Sequence, residues 1–246
     1  MALKEPNPAH RKLVLWLRAD QGISDIGDGK KVLQWENMAT SSAAVGDAVS
    51  NGNDPVFMAS SAIYEKVPAI YFNGSDQGMD IREADKLLSA GEVTVFIVAA
   101  NGGFSGDGDA DVLLAEGASI LFASSNSANT ARLAFQRGKK PFETLRADWD
   151  SVEAGRGYIF TLRRSGAEAG KTSLAINGTK DDDGVAIPNL TPETSATLGY
   201  QLKFESQRFW DGEIAEVLVY HTVLSPKEQR DVEKYLSRKY SIALEH

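Results

Sequence analysis

Residues 209–240 read FWDGEIAEVLVYHTVLSPKEQRDVEKYLSRKY: one long strand followed by one helix. Glu213–Tyr220 is a short run of apolar and β-branched residues, the composition of a strand. After Leu224 the pattern changes. Ser225 is placed to cap a helix, Pro226 occupies its first position and Glu228 completes a capping box. Val232, Tyr235, Leu236 and Tyr240 recur at helical spacing, which predicts a helix over Pro226–Tyr240 with one apolar face. That face should pack on the sheet structure, near the N-terminal strand.

Upstream, nearly everything reads as short strands separated by turns rich in Gly, Asn, Asp and Ser. Leu13–Arg18 (LVLWLR) is the first and Lys31–Trp35 the second, with Ile23–Gly29 as a polar turn between them. Ala69–Phe72 runs into the turn Asn73-Gly74-Ser75. Val93–Ala100 is apolar on both pleat faces, as expected of a central strand covered on both sides. Val112–Ala115, Ile120–Ala123, Ala131–Arg137, Tyr158–Arg164, Ser173–Asn177 and Thr194–Tyr200 follow, and Asn177-Gly178 is a strong hairpin signal. Asp85–Ala90 has room for a single helical turn. Strand after strand with one late packing helix predicts an all-β fold, two antiparallel sheets face to face. Leu13, Leu15, Leu17, Phe72, Val95, Ile97, Phe160, Leu162, Ile214 and Leu218 are its expected core. Residues 1–243 read as one domain. Residues 244–246 (Leu-Glu-His) resemble the start of a histidine tag and are set apart from the fold.

Composition removes several functions. The 246 residues carry 26 Lys and Arg against 34 Asp and Glu, a net charge of −8, which argues against a nucleic-acid partner. The absence of cysteine excludes disulfides, thiolate metal sites and cysteine nucleophiles. With only His10, His221 and His246, a histidine-built zinc site or triad has almost no material. His221 reads as a surface residue at a strand end. No apolar run is long enough for a membrane span. The N-terminal MALKEPNPAHRK lacks an apolar signal core, so the chain is expected to be either cytosolic or trimmed from a longer secreted parent. The triplets at Asn73, Asn177 and Asn189 fit a glycosylation pattern, but the first two are turn signals.

Two stretches carry a family resemblance. The first is LVLWLRADQGI (13–23) with DGKKVLQW (28–35) and PAIYFNGSDQGMDI (68–81). The second is Gly212–Tyr220 with Leu224–Glu228 and Tyr235–Tyr240. Together they resemble a bacterial LamG-like domain of the concanavalin A-like lectin/glucanase superfamily. The resemblance implies a jelly roll with a C-terminal helix. It also implies a module that often binds carbohydrate or sits in secreted, periplasmic or cell-surface proteins. The loop Glu36–Val49 departs from the family pattern.

Some enzymes of that superfamily carry paired carboxylates on one strand. Here the matching strand offers Glu213 and Glu216, spaced by three, which alternation places on opposite faces unless a bulge intervenes. Glu216, among apolar neighbours, should be a half-buried carboxylate satisfied by backbone N–H groups or an arginine. Asp107, Asp109 and Asp111 alternate like the start of a calcium loop, but the remaining EF-hand positions are wrong and a solvated loop accounts for them better. The run Asp181–Asp183 reads as a solvated hairpin tip. For sugar recognition, which needs an aromatic platform beside planar polar groups, two loops stand out. One holds Arg146, Trp149 and Asp150, the other Tyr200, Arg208 and Trp210, whereas Trp16 and Trp35 sit in strands and read as core.

Three readings follow. The first is a non-catalytic carbohydrate-binding or adhesion module whose partner is a polysaccharide or glycan, with calcium as the one conceivable ion. The second is a glycoside hydrolase or polysaccharide lyase of the jelly-roll type. The third is a structural, protein-interaction domain. No catalytic pair is evident, so the enzymatic reading is the weaker.

Overall fold

A computed structural model describes residues 5–23, 27–104, 110–125, 129–137, 143–147, 151–166, 171–182, 184–187, 195–201 and 208–245. Its strands, in chain order, are β1 (Leu13–Arg18), β2 (Gln34–Trp35), β3 (Ala48–Ser50), β4 (Val56–Met58), β5 (Ala69–Asn73), β6 (Met79–Ile81), β7 (Val93–Asn101), β8 (Ala110–Glu116), β9 (Ser119–Ser125) and β10 (Thr130–Arg137). There follow β11 (Glu143–Arg146), β12 (Val152–Glu153), β13 (Gly157–Arg164), β14 (Thr172–Ile176), β15 (Thr179–Lys180), β16 (Ala196–Leu198), β17 (Tyr200–Gln201), β18 (Arg208–Phe209) and β19 (Asp211–Tyr220). One helix, α1 (Pro226–Tyr240), ends the fold.

The strands form two antiparallel sheets. The first runs β15-β14-β13-β7-β19-β5-β4, with β1 added on β19. The second runs β11-β10-β9-β8-β16-β6-β3-β2, with β12 on β10. The short β17–β18 hairpin stands apart and lies against β8. Leu15, Leu17, Phe72, Val95, Ile97, Phe160, Leu162 and Ile214 fill the space between the sheets, each at 0% exposure. Leu13 and Leu218 are equally buried but belong to a second cluster on the outer face of the first sheet. There they lie with Phe96, Val98, Val232, Tyr235, Leu236 and Tyr240, so β7 is covered on both faces, as its unbroken apolar run requires.

Helix α1 forms as its sequence dictates. The Ser225 side chain accepts from the Glu228 N–H, and the Glu228 carboxylate accepts from the Ser225 N–H at 2.9 Å. The helix ends at Ser241, which takes the left-handed conformation without being glycine (φ 54°). Among the described residues no helix is long and apolar enough to cross a membrane.

Departures from the sequence reading lie mainly in strand edges. Lys31–Trp35 shrinks to Gln34–Trp35 plus a bridge from Lys31 to Val56. The stretch read as the loop Glu36–Val49 runs into β3, and it is held by Asn37, whose side chain donates to the carbonyls of Val14 and Val45. Segment 85–90 makes one turn, closed by Ala90 N–H to Lys86 O. Near the C-terminus, Leu244 packs on the outer cluster and the Glu245 N–H donates to Asn177 O at 2.9 Å.

Leu236 is fully buried where α1 meets the first sheet. Leu236→Ala is expected to cost about 2–5 kcal/mol, through lost burial plus the cavity left behind. Denaturant titration checks this, and a loss below about 1 kcal/mol would show the helix to be loosely docked.

Candidate functional site

Two glutamates, Glu213 and Glu216, stand on β19. Pairing with β7 slips between Ile214 and Glu216, a β-bulge. The extra residue resets the alternation. Ile214 faces the inter-sheet core, while Ala215 and Leu218 lie in the outer cluster. Both glutamates therefore reach groups on the outer face, against the alternation expected from their spacing. Burial, not parity, keeps them apart in role. Glu216 is at 0% exposure. Its carboxylate accepts from Trp16 Nε1 at 2.6 Å, Tyr240 OH at 2.8 Å and Lys239 Nζ at 2.7 Å. The expected backbone or arginine partners are thus replaced by an indole, a phenol and an ammonium group, because α1 folds directly over this carboxylate. Burial, and then the Glu216 charge, holds both the Tyr235 and the Tyr240 hydroxyl above the usual tyrosine range, so each stays a neutral donor.

Glu213 is only partly buried and accepts from Ser61 Oγ. Gly212, just before it, is required by space: a Cβ there would collide with the Ala100 carbonyl oxygen.

A different place gathers polar groups around open space. On the second sheet, register aligns Ala115 of β8, Thr197 of β16, Asp80 of β6 and Val49 of β3 in one cross-strand row. Their neighbours Ala196, Leu198, Met79 and Ile81 are core, so the row faces outward. The β17–β18 hairpin folds beside it. Tyr200 and Phe209 face each other there with stacked rings, centroids 6.0 Å apart. The Tyr200 hydroxyl donates to Asp80 Oδ1, and Thr197 Oγ1 donates to Tyr200 O at 2.6 Å. Gly78 lies flat under the Tyr200 ring, where any Cβ would drive into it. Gln201 Nε2 donates to Gly117 O at 2.7 Å, which fixes the amide and leaves Oε1 buried with no hydrogen-bond partner.

Asp80, Gly117, Ser195, Thr197, Tyr200 and Gln201 line a cleft of about 210 Å³. Pockets that engulf drug-sized ligands run to roughly 300–1,000 Å³, so this one suits a single ring or a group projecting from one. Burial, then the hydrogen bond to Asp80 and its charge, raises the Tyr200 pKa well above the usual tyrosine value and keeps it a donor. What the cleft offers a ligand is mainly acceptors: the exposed Asp80 carboxylate and the free Gln201 oxygen.

The predicted site residues fall out unevenly. Tyr200 lines the cleft, and Arg208, half-exposed, pairs with Gln201 in the hairpin. Trp210 is at 0% exposure in the inter-sheet core and has no free face for stacking, because the chain turns inward after β18. Arg146 is half-buried and opposite Ala134, in a row with Phe122 and Val112 on the same outer face as the cleft. Three strand spacings separate it from β8, roughly 15 Å. Trp149, Asp150, Asp107 and Asp109 lie outside the described residues. Asp111 accepts from Asn101 Nδ2 at 2.8 Å, and among the described residues no group of three His, Asp or Glu could hold a metal ion. His221 is half-buried rather than on the surface, and burial lowers its pKa. Sequence reasoning missed Asp80 and Gln201. The alternation Met79-Asp80-Ile81 was the one available signal, since it turns Asp80 outward.

No protein-family model matches the chain, and no curated protein matches it. Solved structures do. Domain 4 of AbnA, a GH43 extracellular arabinanase from Geobacillus stearothermophilus solved with arabinotriose, matches at 16% identity and TM-score 0.59, over 91% of this chain and 98% of that one. Trypanosoma rangeli sialidase, solved with sialic acid, matches at 17% identity and TM-score 0.59, over 97% of this chain and 34% of that one. The binding domain of botulinum neurotoxin serotype D matches at 11% identity and TM-score 0.60, over 93% of this chain and 53% of that one. The chain therefore spans about a third of the sialidase and half of the toxin domain. At these identities the likeness establishes the fold, a jelly-roll-like β-sandwich.

Burial raises the Glu213 pKa against the opposing hydrogen bond from Ser61. A raised carboxyl pKa means that the folded chain holds this proton to higher pH than the unfolded chain. Its stabilising contribution is full below the unfolded pKa, near 4.3, and is lost as pH rises through the folded one. Glu213→Gln should remove that decline. Urea titrations at acid and neutral pH test it, and an unchanged pH profile would contradict the assignment.

Proposed function

We propose that the chain is a non-catalytic carbohydrate-binding or adhesion module of LamG-like, concanavalin A-like type, part of a larger secreted, periplasmic or surface protein, and that the Tyr200 cleft seats one sugar residue. The carrying observation is the unpartnered Gln201 Oε1 beside the exposed Asp80 carboxylate. A buried acceptor without a donor is costly, and a ligand that supplies the donor recovers that cost. Sugar hydroxyls are such donors, several to a ring. Gly117 and Ala115 line the same cleft with little side chain, which leaves room for the ring's apolar face.

The rest of the outer face fits a chain rather than a lone monosaccharide. Arg208 borders the hairpin and Arg146 lies roughly 15 Å across the strands, within reach of a glycan of several residues. Trp149 and Asp150 follow Arg146 in sequence and belong to the same proposal. The arabinanase domain, matched over nearly its whole length and solved with arabinotriose, supports the reading. The non-catalytic part is supported by Glu216, which helix α1 seals from any substrate.

Affinity electrophoresis through gels containing plant, marine and host polysaccharides tests the proposal. At least one glycan should retard the protein, and Asp80→Ala should weaken binding on the order of tenfold, about 1.4 kcal/mol. Failure of every glycan to retard the protein, or equal retardation of Asp80→Ala, would overturn it. Release of reducing ends or of unsaturated products from any of them would replace it with the hydrolase or lyase reading.

A further inference from the structure

The outer face of the first sheet is not covered to its edge. Helix α1 lies over β1, β19 and β7, and beyond β13 a second cleft opens, about 140 Å³ in volume. Thr161, Arg163, Ser173, Gly178 and Lys180 line it, with Gln229 from the helix. Register explains their convergence. Thr161 stands opposite Ala175, which stands opposite Lys180, and Arg163 stands opposite Ser173. These side chains share the outer face, while Phe160, Leu162 and Leu174 point into the core.

The chemistry of this cleft is the reverse of the first. Thr161 is 1% exposed and its hydroxyl has no partner. The Arg163 guanidinium gives Nη2 to Leu224 O at 3.2 Å, but its buried Nε has no acceptor. Among the described residues no carboxylate lies within ion-pair distance of Arg163. Lys180 is mostly exposed, and its Nζ is 3.4 Å from Asp182 Oδ2. That carboxylate is itself turned to the backbone, accepting from Leu174 N–H at 3.3 Å and Gly184 N–H at 2.9 Å. Two cations, an unsatisfied hydroxyl and an unsatisfied guanidinium N–H thus meet in one place on a protein of net charge −8. Water could satisfy the hydroxyl, but it leaves the Arg163 charge uncompensated beside a Lys180 whose one carboxylate, Asp182, is shared with two backbone N–H groups. An oxyanion answers both, since its oxygens accept from all three side chains, Thr161, Arg163 and Lys180. At roughly 30 Å³ per water, the space equals about four or five waters, enough for one anionic group and too little for a sugar ring with its substituents.

We propose that this cleft binds a single oxyanion, a sulfate, phosphate or carboxylate group, through Thr161, Arg163 and Lys180. It is separate from the Tyr200 cleft and lies on the other sheet. A ligand held there would be recognised by its charged group alone.

The test is a titration of the whole chain with sodium sulfate, sodium phosphate and sodium acetate, each against sodium chloride at matched ionic strength, followed by backbone amide chemical shifts. Saturable shifts are expected at residues 161–163, 173–175 and 178–180. The sulfate and phosphate arms distinguish a tetrahedral ligand from the carboxylate that acetate represents. Thr161→Val removes the hydroxyl at nearly constant shape, and Lys180→Gln removes the charge of a mostly exposed side chain. Each should weaken binding on the order of tenfold. Shifts no greater than those in chloride for all three anions, or undiminished binding in Lys180→Gln, would overturn the proposal. No glycan is needed, so this result stands apart from the outcome for the second sheet.

Discussion

The fold closes on one buried carboxylate. Glu216 sits at zero exposure and takes its donors from two ends of the chain: Trp16 on the first strand, Lys239 and Tyr240 on the last helix. An ionised carboxylate without partners in such a place would cost several kcal/mol, so first strand, last strand and helix are compatible only when assembled together. Lys239 extends the arrangement by reaching Asp20 at 2.8 Å, and Asp20 in turn holds Arg18 at 2.9 Å. Burial would raise the Asp20 pKa, but the hydrogen bond from Arg18 and the Lys239 charge outweigh it and hold it low. A buried ion pair is a poor source of net stability compared with apolar packing. In this account the stability comes from Leu218, Val232 and Leu236, and the carboxylate sets where α1 lies and how β1 is registered on β19.

That arrangement makes the two outer faces unlike. The outer face of the first sheet, which carries both glutamates of β19, is given over to holding the helix. Its margin, along β13, β14 and β15, opens into the second cleft. Among the described residues the outer face of the second sheet carries no helix, and there β17, paired with β18, makes a cleft with the neighbouring strands. The two open places differ in sign. One presents the unsatisfied Gln201 oxygen and the Asp80 carboxylate, the other the unsatisfied Thr161 hydroxyl and Arg163 N–H.

Much of the fold was legible because alternation and capping are local. Leu13–Arg18, Val93–Ala100 and the helix with its Ser225 and Glu228 cap could be read directly, and all ten expected core residues are fully buried. What was not legible depends on partners far along the chain. The bulge at Ala215 inserts one residue into the count, and nothing in GEIAEVLVY announces it, so the spacing of Glu213 and Glu216 misled. Trp210 looked exposed because its neighbours are polar, yet the chain dips inward there to pass beneath Gly74 and Gly199, to which its backbone is bonded. Gln201 carries no sequence signal at all. Its free oxygen exists only because its amide nitrogen is fixed by Gly117, 84 residues away. Tyr200 and Arg208 were found for a general reason, an aromatic beside a cation in a polar loop, and not from their true neighbours.

On the proposal made above, glycan recognition belongs to the second sheet and not to the glutamates under the helix. Amide hydrogen exchange, with and without a saturating mixture of neutral oligosaccharides, tests it most directly. Added protection is expected at residues 78–81, 113–117 and 195–201, with residues 213–220 and the helix unchanged. Protection centred on 213–216 and α1, or no change anywhere, would contradict it.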